Sequence, residues 1–218
     1  ASLYNDSLFD NNIVINNQNV YTGSNFINTA VSNSTFTNMR VNSSGNTVFK
    51  NCTLDDVETQ GNYYYMEAKG NFENCNFKES KSSIRQIKAE GTFVNCEFYT
   101  NTARILNIRS MLGCTIDSTS YEITSLDTGF IKIRNNKFLN QTSTVMKITL
   151  KTNGELSDNY YKLSTLAHYT HVTIDGTVNT KFVKLKDNFQ ENNTKTPSGF
   201  RFGGTSTYTV LSEGNICN

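Results

Sequence analysis

The side chains of this chain that could do chemistry fall into a few groups. Lys132 and Arg134 bracket Ile133, Glu155 and Ser157 bracket Leu156, and Lys184 and Lys186 bracket Leu185. In an extended chain, residues two apart share a face, so these segments would stack into a local basic ridge able to meet an anionic glycan. A bland reading fits too: Glu155 between Lys132 and Lys184 makes alternating-sign surface contacts worth at most about 1 kcal/mol each. His168, Tyr169 and His171 form a second group that holds both histidines of the chain. Phe200, Arg201 and Tyr208 form a third, close to the only proline, Pro197. Binding residues are expected here because long loops on a rigid scaffold commonly carry function, although the same segments could simply cap the end of the molecule.

Other groups are better explained by structure. Asp55, Asp56 and Glu58 are a dense carboxylate cluster that could hold Ca²⁺, yet Asp is also favoured there for turn chemistry. Tyr63-Tyr64-Tyr65 should leave at least one ring exposed, as a sugar-stacking platform or as cross-strand packing. No Cys-x-x-Cys pair occurs among the five cysteines, which argues against zinc. There is no Gly-x-Ser-x-Gly, phosphate loop or His-Glu-x-x-His. No catalytic residue, metal site or cofactor is therefore expected. A lyase needs only a base and a charge-neutralising cation, so Arg134 with Lys184 keeps that alternative open.

What must position these residues is a repeat. A short motif recurs ten times, and its second residue is Asn12, Ser34, Cys52, Cys75, Cys96, Cys114, Asn136, Asn159, Asn188 and Asn215 in turn. The spacings are 22, 18, 23, 21, 18, 22, 23, 29 and 27. The residue before each is Asn, Asp or Gly, the types that tolerate left-handed backbone angles, so a sharp corner is predicted in every copy. Three residues before the marker stand Phe9, Val31, Phe49, Phe72, Phe93, Met111, Ile133, Leu156 and Leu185, with Ser212 the exception; two residues after it stand Val14, Phe36, Leu54, Phe77, Phe98, Ile116, Phe138 and Tyr161. Polar residues alternate with them, as in strands with one buried face. The period is too short for paired helices, and the Leu-x-x-Leu-x-Leu frame of a leucine-rich repeat is missing. A parallel stack of coils remains, about 4.8 Å apart.

With these corners, this period and an Asn-rich composition without Trp, the chain resembles the right-handed parallel β-helix superfamily of pectate lyases and phage tailspikes. That resemblance supplies the handedness. The expected fold is all-β, one single-stranded right-handed parallel β-helix of about ten coils over residues 1–218, with longer, loop-bearing coils from about 160 to 218. The paired Asp, Gly-His-Gly and Arg-Ile-Lys set of polygalacturonase-like relatives is absent, and Ile131-Lys132-Ile133-Arg134 only superficially echoes it. Inward markers would make a cysteine stack followed by an asparagine ladder. Cys52, Cys75, Cys96 and Cys114 are expected to be reduced and buried, parallel side chains being a poor match to a disulfide torsion.

Lys and Arg number 20 against 19 Asp and Glu, which gives no overall field for nucleic acid or anionic membrane. No apolar run is long enough to span a bilayer. The function expected is non-catalytic surface recognition or structure, of a phage tail fibre, tailspike or adhesin kind, with a polysaccharide lyase or hydrolase as the alternative. The expected partner is a polysaccharide or host-surface glycan, in a homotrimeric assembly, with neither nucleic acid nor membrane insertion. The expected location is a virion or extracellular surface, with assembly in a reducing cytoplasm if the thiols are free.

Overall fold

A computed structural model of the chain describes residues 2–5, 7–15, 23–37, 40–55, 65–78, 86–126, 128–141, 146–163, 170–174, 181–192, 200–203 and 208–217. Every described strand pairing is parallel, and each strand pairs with its counterpart in the next repeat. One coil shows the plan. Phe130–Arg134 forms a second face, a corner at Asn135 and Asn136 turns the chain, Lys137–Gln141 forms a third face, and Met146–Leu150 forms the first face of the coil above.

The corners are left-handed as predicted. Asn11, Asn33, Asn51, Asn74, Asn95, Asn135, Asp158 and Asp187 have φ between 49° and 57°, and Gly113 and Gly214 have φ of 66° and 64°. Asn and Asp accept this region at low cost because their short polar side chains bond locally, and Gly because it lacks Cβ.

The second face runs through ten rungs in the register Phe9, Val31, Phe49, Phe72, Phe93, Met111, Ile133, Leu156, Leu185, Ser212. The third face carries Phe36, Leu54, Phe77, Phe98, Ile116, Phe138 and Tyr161 in one column. Rings meet within and between the columns: Phe72 stacks on Phe93 at 5.3 Å and Phe77 on Phe98 at 4.6 Å, while Phe72 and Phe77 meet edge-on. Gln190 continues the third-face column over Tyr161 and is fully buried, a polar residue in an apolar column. The first face supplies the core wall that the repeat marker does not reveal, with Val41, Ala89, Ile105, Ile123 and Ile148 buried in one continuous column through Ala68.

The marker residues point inward from Ser34 onward. Asn136, Asn159 and Asn188 are buried, and their amides form a ladder: Asn136 Nδ2 donates to Asn159 Oδ1 at 2.9 Å, Asn159 Nδ2 to Asn188 Oδ1 at 3.0 Å, and Asn188 Nδ2 to Asn215 Oδ1 at 2.8 Å. Each Oδ1 also accepts the marker N–H of the coil before, as in Cys114 N to Asn136 Oδ1 at 2.8 Å. Cys52, Cys75, Cys96 and Cys114 are free thiols and buried, as expected. They donate to backbone carbonyls, for example Cys75 Sγ to Phe49 O at 3.4 Å and Cys96 Sγ to Phe72 O at 3.5 Å. Asn12 departs from the expected inward stack: it is exposed, with Nδ2 on Asp10 O at 2.8 Å, and its neighbour in the stack is Ser34, which carries a hydroxyl and no amide.

Candidate binding face

The outward positions of the second face are set by strand alternation. In Phe130–Arg134 the burial pattern is strict: Ile131 and Ile133 point into the core, while Phe130, Lys132 and Arg134 point out. Pairing then places Lys132 beside Glu155 and Glu155 beside Lys184. Two residues along, Arg134, Ser157, Lys186 and Glu213 follow one another on successive rungs. The stacked basic residues read from the sequence therefore share one face.

The structure also shows what tempers their charge. Arg134 Nε donates to Asp158 Oδ2 at 2.9 Å, and Lys186 Nζ lies 3.6 Å from Asp187 Oδ2. Asp158 and Asp187 are themselves corner residues, so two late coils place a carboxylate beside the ridge where most earlier corners carry neutral Asn. Both pairs are open to solvent, with Arg134 63% and Asp158 40% exposed, and exposed pairs contribute little and exchange partners readily. A shallow groove at this corner is lined by Lys132, Arg134, Asp158, Asn95, Asn135 and Gly113. Ser157, in register between Arg134 and Lys186, is buried.

Two residues that sequence reasoning missed belong to this face. Phe130 and Phe182 are 48% and 38% exposed, each two residues before a ridge lysine on its own strand, Lys132 and Lys184 respectively. The signal was available in the alternation of Phe130-Ile131-Lys132-Ile133-Arg134, whose apolar residues lie on both faces. Between the two rings, Asn153 pairs with Phe130 and accepts the Phe182 N–H through Oδ1 at 2.8 Å.

The other sequence-derived candidates lie elsewhere. His171 pairs with Lys147 on one side and Arg201 on the other, and Phe200 pairs with Thr170, all on first-face strands. Tyr208 pairs with Lys181 at the start of a second-face strand. The candidate set thus divides between two faces. His168, Tyr169, Tyr63, Tyr64, Asp56, Glu58 and the segment 193–199 lie outside the described residues. Asp55 is half-buried and in an ion pair with Lys78 at 3.3 Å. Among the described residues, no group of three or more His, Cys, Asp or Glu could hold a metal ion, and no helix is long and apolar enough to cross a membrane.

A second outward feature lies on the third face, where Tyr160 and Phe189 stack with centroids 5.8 Å apart. The Tyr160 hydroxyl donates to Glu191 Oε2, and that hydrogen bond, with some burial, pushes the phenol up to about 12. Tyr160 therefore stays a neutral donor at ordinary pH.

Corners, columns and ladders of this kind define a parallel β-solenoid. The comparison with known families is specific on its hand: a family model described as a right-handed β-helix region matches residues 39–210, and the chain belongs to that family. Neither the curated proteins nor the solved structures returned a match to the chain.

Proposed function

We propose that this chain is a non-catalytic recognition module of a virion or cell surface, and that its late second face binds an extended, anionic carbohydrate. The observation that carries the reading is the stacking on one rigid face of Lys132 and Lys184 with the exposed rings of Phe130 and Phe182. Aromatic surface suits the apolar faces of sugar rings, and cations suit carboxylate, sulfate or phosphate substituents. Successive rungs repeat at about 4.8 Å, so the face is a ruled surface along which a polymer can lie without ordering any loop. Arg134 and Lys186 add charge once they exchange their corner aspartates for ligand anions. A homotrimer, if formed, would multiply such sites and raise avidity without new contacts.

The test is binding of the chain to acidic and neutral bacterial polysaccharides, with parallel assay for new reducing or unsaturated ends. Lys132→Ala with Lys184→Ala should weaken binding to an acidic polymer at least about tenfold, the equivalent of about 1.4 kcal/mol, with unfolding unchanged. Phe130→Ala with Phe182→Ala should weaken neutral and acidic polymers alike. Unchanged binding in both variants would remove this face from the reading, and new chain ends would replace it with a lyase.

A further inference from the structure

The late second face is basic in its stacked residues and neutral in its sum. Lys132, Arg134, Lys184 and Lys186 share its outward rows with Glu155 and Glu213, and Asp158 and Asp187 stand at the adjoining corners, so four cations meet four carboxylates. Two of those carboxylates are not required by the fold. A corner needs a left-handed backbone angle, and of the ten marker corners six hold it with Asn and two with Gly. Asp158 and Asp187 have φ of 55° and 51°, inside the 49° to 57° that the Asn corners span. Asn and Asp have the same shape there and differ in charge.

Each aspartate engages one of the two cations nearest the corner. Arg134 Nε donates to Asp158 Oδ2 at 2.9 Å, across one rung, and Lys186 Nζ lies 3.6 Å from Asp187 Oδ2. Ser157 lies in register between these two cations. Leu156 before it occupies the core column, so alternation turns Ser157 to the outer side of the strand. It is nonetheless 1% exposed, and its Oγ has no hydrogen-bond partner among the described residues. A buried hydroxyl without a partner is destabilising, and an incoming acceptor relieves it. With one cation a rung of about 4.8 Å away on either side, three donors can meet on one group.

We infer that Arg134, Ser157 and Lys186 form a seat for a phosphate ester on a polysaccharide, and that Asp158 and Asp187 are counter-ions that hold this seat in the free protein and set how much negative charge a ligand needs to enter it. The seat presupposes that this face binds carbohydrate, as proposed above. A ligand carboxylate meets the aspartates as an equal in charge and chemistry, while they have the advantage of being tethered, at an effective concentration on the order of millimolar. A phosphate monoester carries about −1.5 to −2 and three acceptor oxygens, enough for the guanidinium, the hydroxyl and the ammonium together. The Arg134 and Lys186 side chains are 63% and 40% exposed, so they can change partners by rotation alone. The groove lined by Lys132, Arg134 and Asp158 opens beside them for the sugar that bears the ester. No covalent bond forms or breaks; one set of ion pairs replaces another.

The test compares phosphorylated dextran, alginate as a polymer of carboxylates, and unmodified dextran. The parent chain should bind phosphorylated dextran at least about tenfold more tightly than alginate. Asp158→Asn with Asp187→Asn keeps residues that serve at six other corners, and should tighten alginate at least about tenfold and so narrow the gap. Ser157→Ala should weaken phosphorylated dextran at least about threefold while stability in urea stays equal or rises, a split that a merely structural serine would not give. Inorganic phosphate should shift the Arg134 Nε–H resonance, and more strongly in the aspartate variant, a readout that needs no polymer. Equal binding of the two acidic polymers by the parent, alginate binding unchanged in the aspartate variant, or phosphorylated dextran unaffected by Ser157→Ala would each overturn the seat. Failure of the carbohydrate reading itself looks different: Lys132→Ala with Lys184→Ala and Phe130→Ala with Phe182→Ala would leave every polymer bound as before. Silence from all polymers and from inorganic phosphate would remove both.

Discussion

Asn159→Ala is the sharpest test of how this solenoid holds its late coils together. The Asn159 side chain is 1% exposed and makes four hydrogen bonds. Its Oδ1 accepts the Asn136 N–H at 3.0 Å and Asn136 Nδ2 at 2.9 Å; its Nδ2 donates to Ile133 O at 2.9 Å and Asn188 Oδ1 at 3.0 Å. Alanine removes all four and leaves the Asn136 N–H and one Asn136 amide proton buried without an acceptor. At a net ~1 kcal/mol per bond, the loss is about 4 kcal/mol, with the two orphaned donors making this a lower bound. Equilibrium unfolding in urea measures it. With a slope of about 3 kcal/mol per molar, the midpoint should fall by about 1.3 M at unchanged slope. Asn159→Cys supplies an internal control, because four earlier coils carry Cys at this position and satisfy a carbonyl with the thiol; it should lose about half as much. A midpoint shift below about 0.3 M for Asn159→Ala, about 1 kcal/mol on the same slope, would mean that the ladder adds no more than exposed Asn side chains would, and would refute the reasoning.

Other perturbations probe the core and the corners. Phe93→Ala empties a site where Phe72, Phe77 and Phe98 rings meet within 6 Å, and should cost about 3 to 5 kcal/mol in urea unfolding. Gly91→Ala should be destabilising by more than about 1 kcal/mol, since φ is +128° and an added Cβ would come within 1.8 Å of Gly70 O, a backbone atom that cannot swing aside; a neutral result would mean that this backbone approach is not kept in solution. Thiol reagents should label Cys52, Cys75, Cys96 and Cys114 slowly in native protein and fully in urea, since all four are buried. The Cys96 thiol is pushed up to about 12 by its Cys114 neighbour, against a lowering contact with Cys75, and by burial. For Cys75 the contact with Cys52 works downward, but Cys96 and burial outweigh it, again leaving about 12. Folded protein therefore holds these protons more tightly than unfolded protein, for which the value is 9.0. Their contribution is intact below pH 9 and is lost as pH rises toward 12. A Cys75→Ser, Cys96→Ser double variant should show a shallower alkaline decline than the parent, and equal slopes would contradict the assignment.

Much of this architecture is written locally and can be read without coordinates. A left-handed corner admits few residue types, so Asn, Asp and Gly before each marker disclose where the chain turns. Because the corner fixes phase and side chains alternate, Phe72 and Phe77 fall into their columns by counting alone. Identical markers on successive coils disclose the thiol stack and the amide ladder, since like residues satisfy each other only when stacked. The tertiary structure alone decided what depends on neighbours several coils away or on turns of variable length. The first face, through Val41, Ala89, Ile105, Ile123 and Ile148, has no marker at a constant distance, because the turns joining it to the third face differ in length from coil to coil. Gln190 lies fully buried in register with Tyr161, a polar residue in an otherwise apolar column that hydrophobic patterning does not disclose. Asn12 matches the ladder in type and in position, yet it lies exposed with Nδ2 on Asp10 O, and the marker stacked beside it is Ser34, a hydroxyl in place of an amide, a pairing set by the neighbouring coil and by no residue near it in sequence.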